Sequence, residues 1–209
     1  MNPALPRRNV LLAALAVGAA RAFAQPAAGT VRLRGTVLAV MPGTLTVQDR
    51  TSGEVVELAL TDQLVVAEVY PVALADIRAG SFIGTAALPQ PDGTQRAIAI
   101  TVFPESARGL GEGHRPFDLL PQSTMTNATV ADVVAAPGAD ARGRTLQLKY
   151  AGGEKTLVVP PDAPVVTFKP ADRSLLVPGA SVSLSARLVG DKPTALRVNA
   201  GRNGFVLPY

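Results

Sequence analysis

From Val31 onward glycine and proline cut the chain into short runs of strand length, and almost no stretch keeps a helical period. The runs 31–40, 44–50, 54–60, 64–70, 82–88 and 95–103 alternate apolar with polar residues or are apolar throughout, as half-buried and fully buried strands require. Met41-Pro42-Gly43, Thr51-Ser52-Gly53 and Pro91-Asp92-Gly93 supply the turn chemistry between them. A chain punctuated in this way is expected to be all-β.

The second half repeats the first at an offset near 100 residues. Thr36-Val37 corresponds to Thr129-Val130, Thr44-Leu45-Thr46-Val47 to Thr145-Leu146-Gln147-Leu148, and Gly53-Glu54 to Gly153-Glu154. The segment 74–82 matches 172–180, each reading as a short helical turn that ends at a glycine opening a new strand. Five or six strands per repeat, with that turn before the fourth main strand, fit a small closed barrel of the OB type, and closure removes aggregation-prone sheet edges. The expected organisation is two tandem OB-like β-barrels, residues 30–103 and 125–200. An ordered Gly- and charge-rich linker, 104–124, joins them, and a strap, 201–209, follows the second. A single sandwich of eight to ten strands is the alternative.

Residues 1–24 read as a secretory signal peptide: Arg7-Arg8, an apolar run from Val10 to Ala20, then Ala22-Phe23-Ala24. That run is too short for the ~20 residues that span a bilayer. The paired arginines also fit a twin-arginine signal, against the general secretory route. Either route places the protein outside the cytoplasm, and a bacterial periplasm is the expected compartment. The leader takes three of the 20 basic residues and none of the 16 acidic ones, leaving the remainder near neutrality. No nucleic-acid partner is therefore expected, because such binding needs a clustered positive surface. The absence of cysteine excludes disulfides, thiolate metal sites and cysteine nucleophiles.

One segment breaks the strand-and-turn pattern. Residues 104–126 form a long aperiodic connection that concentrates Glu105, Arg108, Glu112, the single histidine His114, Arg115 and Asp118, with Gly109, Gly111 and Gly113 at every second position. Three readings of it stay open. It is an inter-barrel strap, in which the arginines pair with the carboxylates and Phe117 plugs the seam. It is a ligand site, in which Arg108, Arg115 and glycine amides such as that of Gly111 hold a small anion or acidic glycan. Or it is a divalent-metal site on Glu112, His114 and Asp118, although no closed zinc or calcium spacing is present. Apart from that metal, no cofactor is expected. Ser106 or Ser123 with His114 and Asp118 would make a nucleophilic triad only on paper, since no nucleophile-elbow motif accompanies them.

The chain resembles a family of uncharacterised exported bacterial proteins built from OB-like domains of unknown function. The matching residues are Arg34-Gly35-Thr36-Val37, the segment 75–80, the run 102–118, the segment 123–128 and the segment 158–164. Phe117 stands where that family carries a tryptophan. Some relatives bear a metal-transporter permease label, which the lack of any long apolar run after the leader contradicts. The resemblance implies a fold and a location, not an activity. The functional expectation is thus an exported binding or structural accessory protein without catalytic activity, with a small ligand or another periplasmic protein as partner. The first alternative is metal or small-anion binding by residues 104–118, and a periplasmic hydrolase is a distant one.

Overall fold

The computed structural model of the protein describes residues 29–135 and 143–209, so the expected leader lies outside the described residues. The fold is all-β. Its twelve strands among the described residues are β1 (Val31–Met41), β2 (Thr44–Asp49), β3 (Val55–Pro71), β4 (Phe82–Pro89), β5 (Gln95–Val102), β6 (Gly113–Pro116), β7 (Thr124–Ala135), β8 (Arg144–Tyr150), β9 (Gly153–Val159), β10 (Val165–Ala171), β11 (Ser181–Val189) and β12 (Lys192–Gly201). Short 3₁₀ turns cover Leu74–Asp76, Glu105–Ala107 and Arg173–Leu175. No helix among the described residues is long and apolar enough to cross a membrane.

The sequence repeat is visible strand for strand. β1, β2, β4 and β5 correspond to β7, β8, β11 and β12, while β3 corresponds to β9 and β10 together. In the first half nothing between Leu60 and Leu64 stops the ladder, so the runs expected at 54–60 and 64–70 fuse into one strand of 17 residues. In the second half Pro160, Pro161 and Pro164 lack the N–H that a ladder needs and split the same path in two. The match of 74–82 to 172–180 shifts by one residue. Gly80 (φ 87°) coincides with Gly179 (φ 85°), the left-handed position from which each new strand starts.

Strand pairing departs from the tandem expectation. β1, β2 and β3 close a five-strand barrel with β12 and β11, which come from the other repeat. Reciprocally, β7, β8 and β9 form a second ring with β5 and β4, closed by the short parallel pairing of Gln95 and Arg96 with Leu157 and Val158. Residues 30–103 and 125–200 therefore do not close separately; each half lends its last hairpin to the other. The length of β3, about 55 Å at ~3.3 Å per residue, carries the chain past its own barrel before β4 begins.

Beyond that barrel β3 pairs antiparallel with its counterpart β10, and Val69 faces Phe168 across a pseudo-twofold axis. The two flanking parallel pairings obey the same symmetry: Val66 opposite Val198, and Val165 opposite Ile100. The first barrel is filled by Val37, Leu45, Val47, Leu58, Val182 and Val198, the second ring by Ile83, Ile100, Val130, Leu146, Leu148 and Leu157. A third, small cluster of Val69, Val166, Leu207, Phe168 and Phe205 sits between them.

Candidate functional site: a basic cleft on the pseudo-twofold axis

Alternation along β1 sends Leu33, Gly35 and Val37 into the barrel and leaves Arg32 and Arg34 on the opposite face. Gly35 is required here, since a Cβ would lie 2.0 Å from the Gln48 carbonyl oxygen on β2. The outward face of β1 borders a cleft of ≈ 250 Å³ between the two rings. Its floor is apolar. Phe103 packs edge-on against Phe168 at 5.5 Å between centroids and against buried Phe82 at 5.3 Å. Phe82 is buried, whereas Phe103 and Phe168 are half-buried and line the cleft.

The 104–124 segment forms one wall, because β6 hydrogen-bonds to β7 as a short hairpin with Arg115 opposite Met125. This register decides which linker residues face inward. Arg115 enters the cleft, and its Nη1 donates to the Gly111 carbonyl at 2.9 Å. Phe117 lies under two guanidiniums, 5.2 Å from Arg34 and 5.5 Å from Arg32, and meets Tyr209 edge-on at 6.4 Å. Arg34 Nη2 donates to Asp118 at 2.6 Å, with Arg32 at 3.8 Å from the same oxygen. Burial works to raise the Asp118 carboxyl, but the Arg34 hydrogen bond and the Arg34 and Arg32 charges hold it below the usual carboxylate range. At Arg115 burial, followed by the charge of Arg32, pulls the guanidinium down.

With Arg197, also in the lining, four guanidiniums share this cleft. Among the described residues Asp118 is the carboxylate that pairs with any of them within 4 Å. Two polar atoms at the cleft, Arg34 Nε and Asn127 Oδ1, have no hydrogen-bond partner among the described residues. Asn127 is only 6% exposed and spends its amide N–H on the Leu110 carbonyl. The two residues are pseudo-twofold equivalents, since Gly35 pairs with Val182 as the following Ala128 pairs with Ile83. The symmetry of the fold is thus broken in charge: β1 brings Arg32 and Arg34 where β7 brings Met125 and Asn127.

The remaining linker residues turn elsewhere. Glu105 and Arg108 form an exposed bidentate pair (2.6 and 2.9 Å), and Arg108 also reaches the Gly80 carbonyl. Their hydrogen bond lowers the Glu105 pKa and raises that of Arg108. Neither lines the cleft, so Arg108 drops out of the anion set. Glu112 accepts the Ala151 N–H at 2.9 Å. His114 Nδ1 lies 2.8 Å from Thr126 Oγ1, the ring stacks on Tyr150, and burial, then the Lys155 charge, lowers its pKa.

The metal set expected on Glu112, His114 and Asp118 is corrected accordingly. The three side chains go to three different partners, and no metal-capable cluster of three such groups exists among the described residues. Ser123, the paper nucleophile, holds the turn instead: its Oγ lies 2.8 Å from the Leu120 carbonyl and 3.0 Å from the Phe117 carbonyl, and accepts the Leu120 N–H. The sequence reading places none of Arg32, Arg34, Arg197 and Asn127 in a site; Arg34 and Asn127 enter it only through segments that carry the family resemblance. The available signal was two arginines alternating with the barrel-facing residues of β1, which places both on one face of a strand.

No protein-family model matches the chain, and comparison with curated proteins and with solved structures returns no match.

Proposed function

We propose that the protein is an exported periplasmic binding protein rather than an enzyme, and that it holds a small anion with an apolar body in the inter-ring cleft. The observation that carries this reading is the charge imbalance. Four arginines line a cleft with an aromatic floor, Arg34 and Arg115 half-buried and Arg32 and Arg197 exposed, against the single carboxylate of Asp118. Solvated guanidiniums on an open surface would need no explanation. Here half-buried Arg115 donates to the Gly111 carbonyl and pairs with no carboxylate among the described residues, and Arg34, its side chain 16% exposed, keeps Nε unpartnered beside its Asp118 pair; a bound carboxylate, sulfonate or phosphate monoester would meet both through charge-assisted hydrogen bonds. Phe103, Phe117 and Phe168 then take the apolar body. An OB-type reading of each ring, with its last hairpin exchanged, accords with a binding module, as does the proposed leader.

Calorimetric titration with 3-phenylpropanoate and with the uncharged 3-phenylpropan-1-ol tests the reading. The anion is expected to bind, with affinity falling as salt rises, and the alcohol is expected to give no measurable heat. Arg34→Ala and Arg115→Ala are each expected to weaken the anion by about tenfold or more. Equal binding of acid and alcohol overturns the proposal, as does silence from every carboxylate, sulfonate and phosphate monoester of that size.

A further inference from the structure

The pseudo-twofold relation exposes a second surface on the opposite face of β1. In the second ring β6 lies antiparallel to Thr124–Asn127 and seats His114 at the mouth of the ring, against Thr126 and Tyr150 and near Lys155. The corresponding stretch of the first barrel is Val31–Arg34. There β1 pairs with β11 on one side, while β2 joins on the other only from Gly35. The Arg34 carbonyl accepts from Arg50 N–H on the β2 side, and by alternation the Arg32 N–H and C=O point the same way. Among the described residues no strand pairs with that edge.

Beside it opens a groove of ≈ 630 Å³ where the second ring holds the imidazole. Strand registers fix the equivalences. Leu33 replaces Thr126, Val56 replaces Lys155, Val31 replaces Thr124 and Pro193 replaces Gln95. Thr124 and Gln95 hydrogen-bond each other at 2.9 Å, so the second mouth is polar and sealed. The first has apolar residues at all four positions, with exposed Val31 and Leu188 on its rim; Asp49 stands where the second ring has Tyr150, its carboxylate already accepting from Thr51 and Ser52, and Glu54 borders the groove. An uncovered apolar groove beside an unpaired strand edge is the arrangement that β-strand addition uses.

We infer that the first barrel accepts an extended segment of a partner protein, paired antiparallel along Val31–Arg34, with an apolar side chain in the place His114 takes in the second ring. The occupant differs from β6 in one respect that the lining dictates. A histidine there would lose the threonine hydroxyl that holds it, whereas a leucine would bury its surface against Leu33, Val56 and Leu188. Arg32 borders both this groove and the basic cleft, but Leu33, Val56 and Leu188 belong to the groove alone, so a substitution at Leu188 separates the two surfaces.

Backbone hydrogen exchange on the exported chain tests the inference, with capped peptides of residues 111–116 as probes, one native and one carrying His114→Leu. Without peptide the Arg32 amide exchanges fast, while the equivalent Met125 amide, facing β6, is protected. The leucine peptide slows Arg32 exchange, and the histidine peptide does so about tenfold more weakly or worse. Leu188→Glu, at a rim position 59% exposed in the folded chain, abolishes the protection without unfolding the protein. The inference is overturned if Arg32 is already protected in the chain alone, because its own residues or a second copy then fill the slot. It is equally overturned if neither peptide slows exchange, or if both do so alike.

Discussion

The two rings share a strand order and differ in how each mouth and each outward face is furnished. The mouth of the second ring is covered by its own hairpin: β6 lies along the edge of β7, and Thr126 and Thr124 find partners in His114 and Gln95. The first barrel keeps an apolar mouth, and on the outer face of β1 it carries arginines where β7 carries methionine and asparagine. Duplication alone would have produced two equivalent surfaces. The differences sit at surface and rim positions, while the paired core positions stay apolar, so the repeats have kept a shared architecture and diverged in what they present.

Breaking the shared architecture should have the largest effect. Leu58 and Leu157 are equivalent core residues, 1% and 0% exposed. Leu58→Ala and Leu157→Ala are each expected to cost about 2–5 kcal/mol. Because each ring contains a hairpin of the other repeat, both variants should lower one common calorimetric transition. Two transitions, with a different one moved by each variant, would show that the rings unfold independently.

Asp118→Asn should sharpen the charge contrast between β1 and β7 in the opposite direction from the arginine variants. Freed of its carboxylate, the cleft should bind 3-phenylpropane-1-sulfonate severalfold more tightly, as titration would show. Lowering pH should mimic the substitution. The Asp118 pKa is depressed in the folded state, so its ion pair contributes stability above the ordinary carboxylate pKa. That contribution is lost as pH falls through the folded value, and affinity for the sulfonate, which stays ionised, should rise in the same window. Affinity that is flat with pH, or that falls, would separate Asp118 from the site.

His114 probes the sealed mouth. Burial lowers its pKa, so the folded chain disfavours the imidazolium. The stability it contributes should be complete above the unfolded histidine pKa, ~6.5, and should decline as pH falls through the folded value. His114→Gln should flatten the urea midpoint between pH 5 and 7.5. The smallest effect is expected at Glu105 and Arg108, whose pair is exposed and outside both surfaces. Glu105→Ala should leave both the melting temperature and anion binding unchanged, and a large change in either would return the outer linker to the site.

The alternation and the Gly and Pro turns made most strands legible in the sequence, and the repeat itself could be read within one residue. The exchange of hairpins could not. The pattern of β4 or β11 states which side chains are buried but not which ring buries them, because the apolar faces of the two rings are interchangeable. The linker was visible as a compositional anomaly, yet its division into inward Arg115, Phe117 and Asp118 and outward Glu105 and Arg108 depends on the β6–β7 register. Arg32 and Arg34 looked like ordinary outward strand residues until Phe117 was found beneath them.

The most direct measurement is a nuclear magnetic resonance titration of the protein with 3-phenylpropanoate. The account predicts shifts concentrated on the guanidinium groups of Arg34 and Arg115 and on the rings of Phe103, Phe117 and Phe168, absent in Arg115→Ala. Shifts that cluster on another surface, or a spectrum unmoved at saturating ligand, would contradict it.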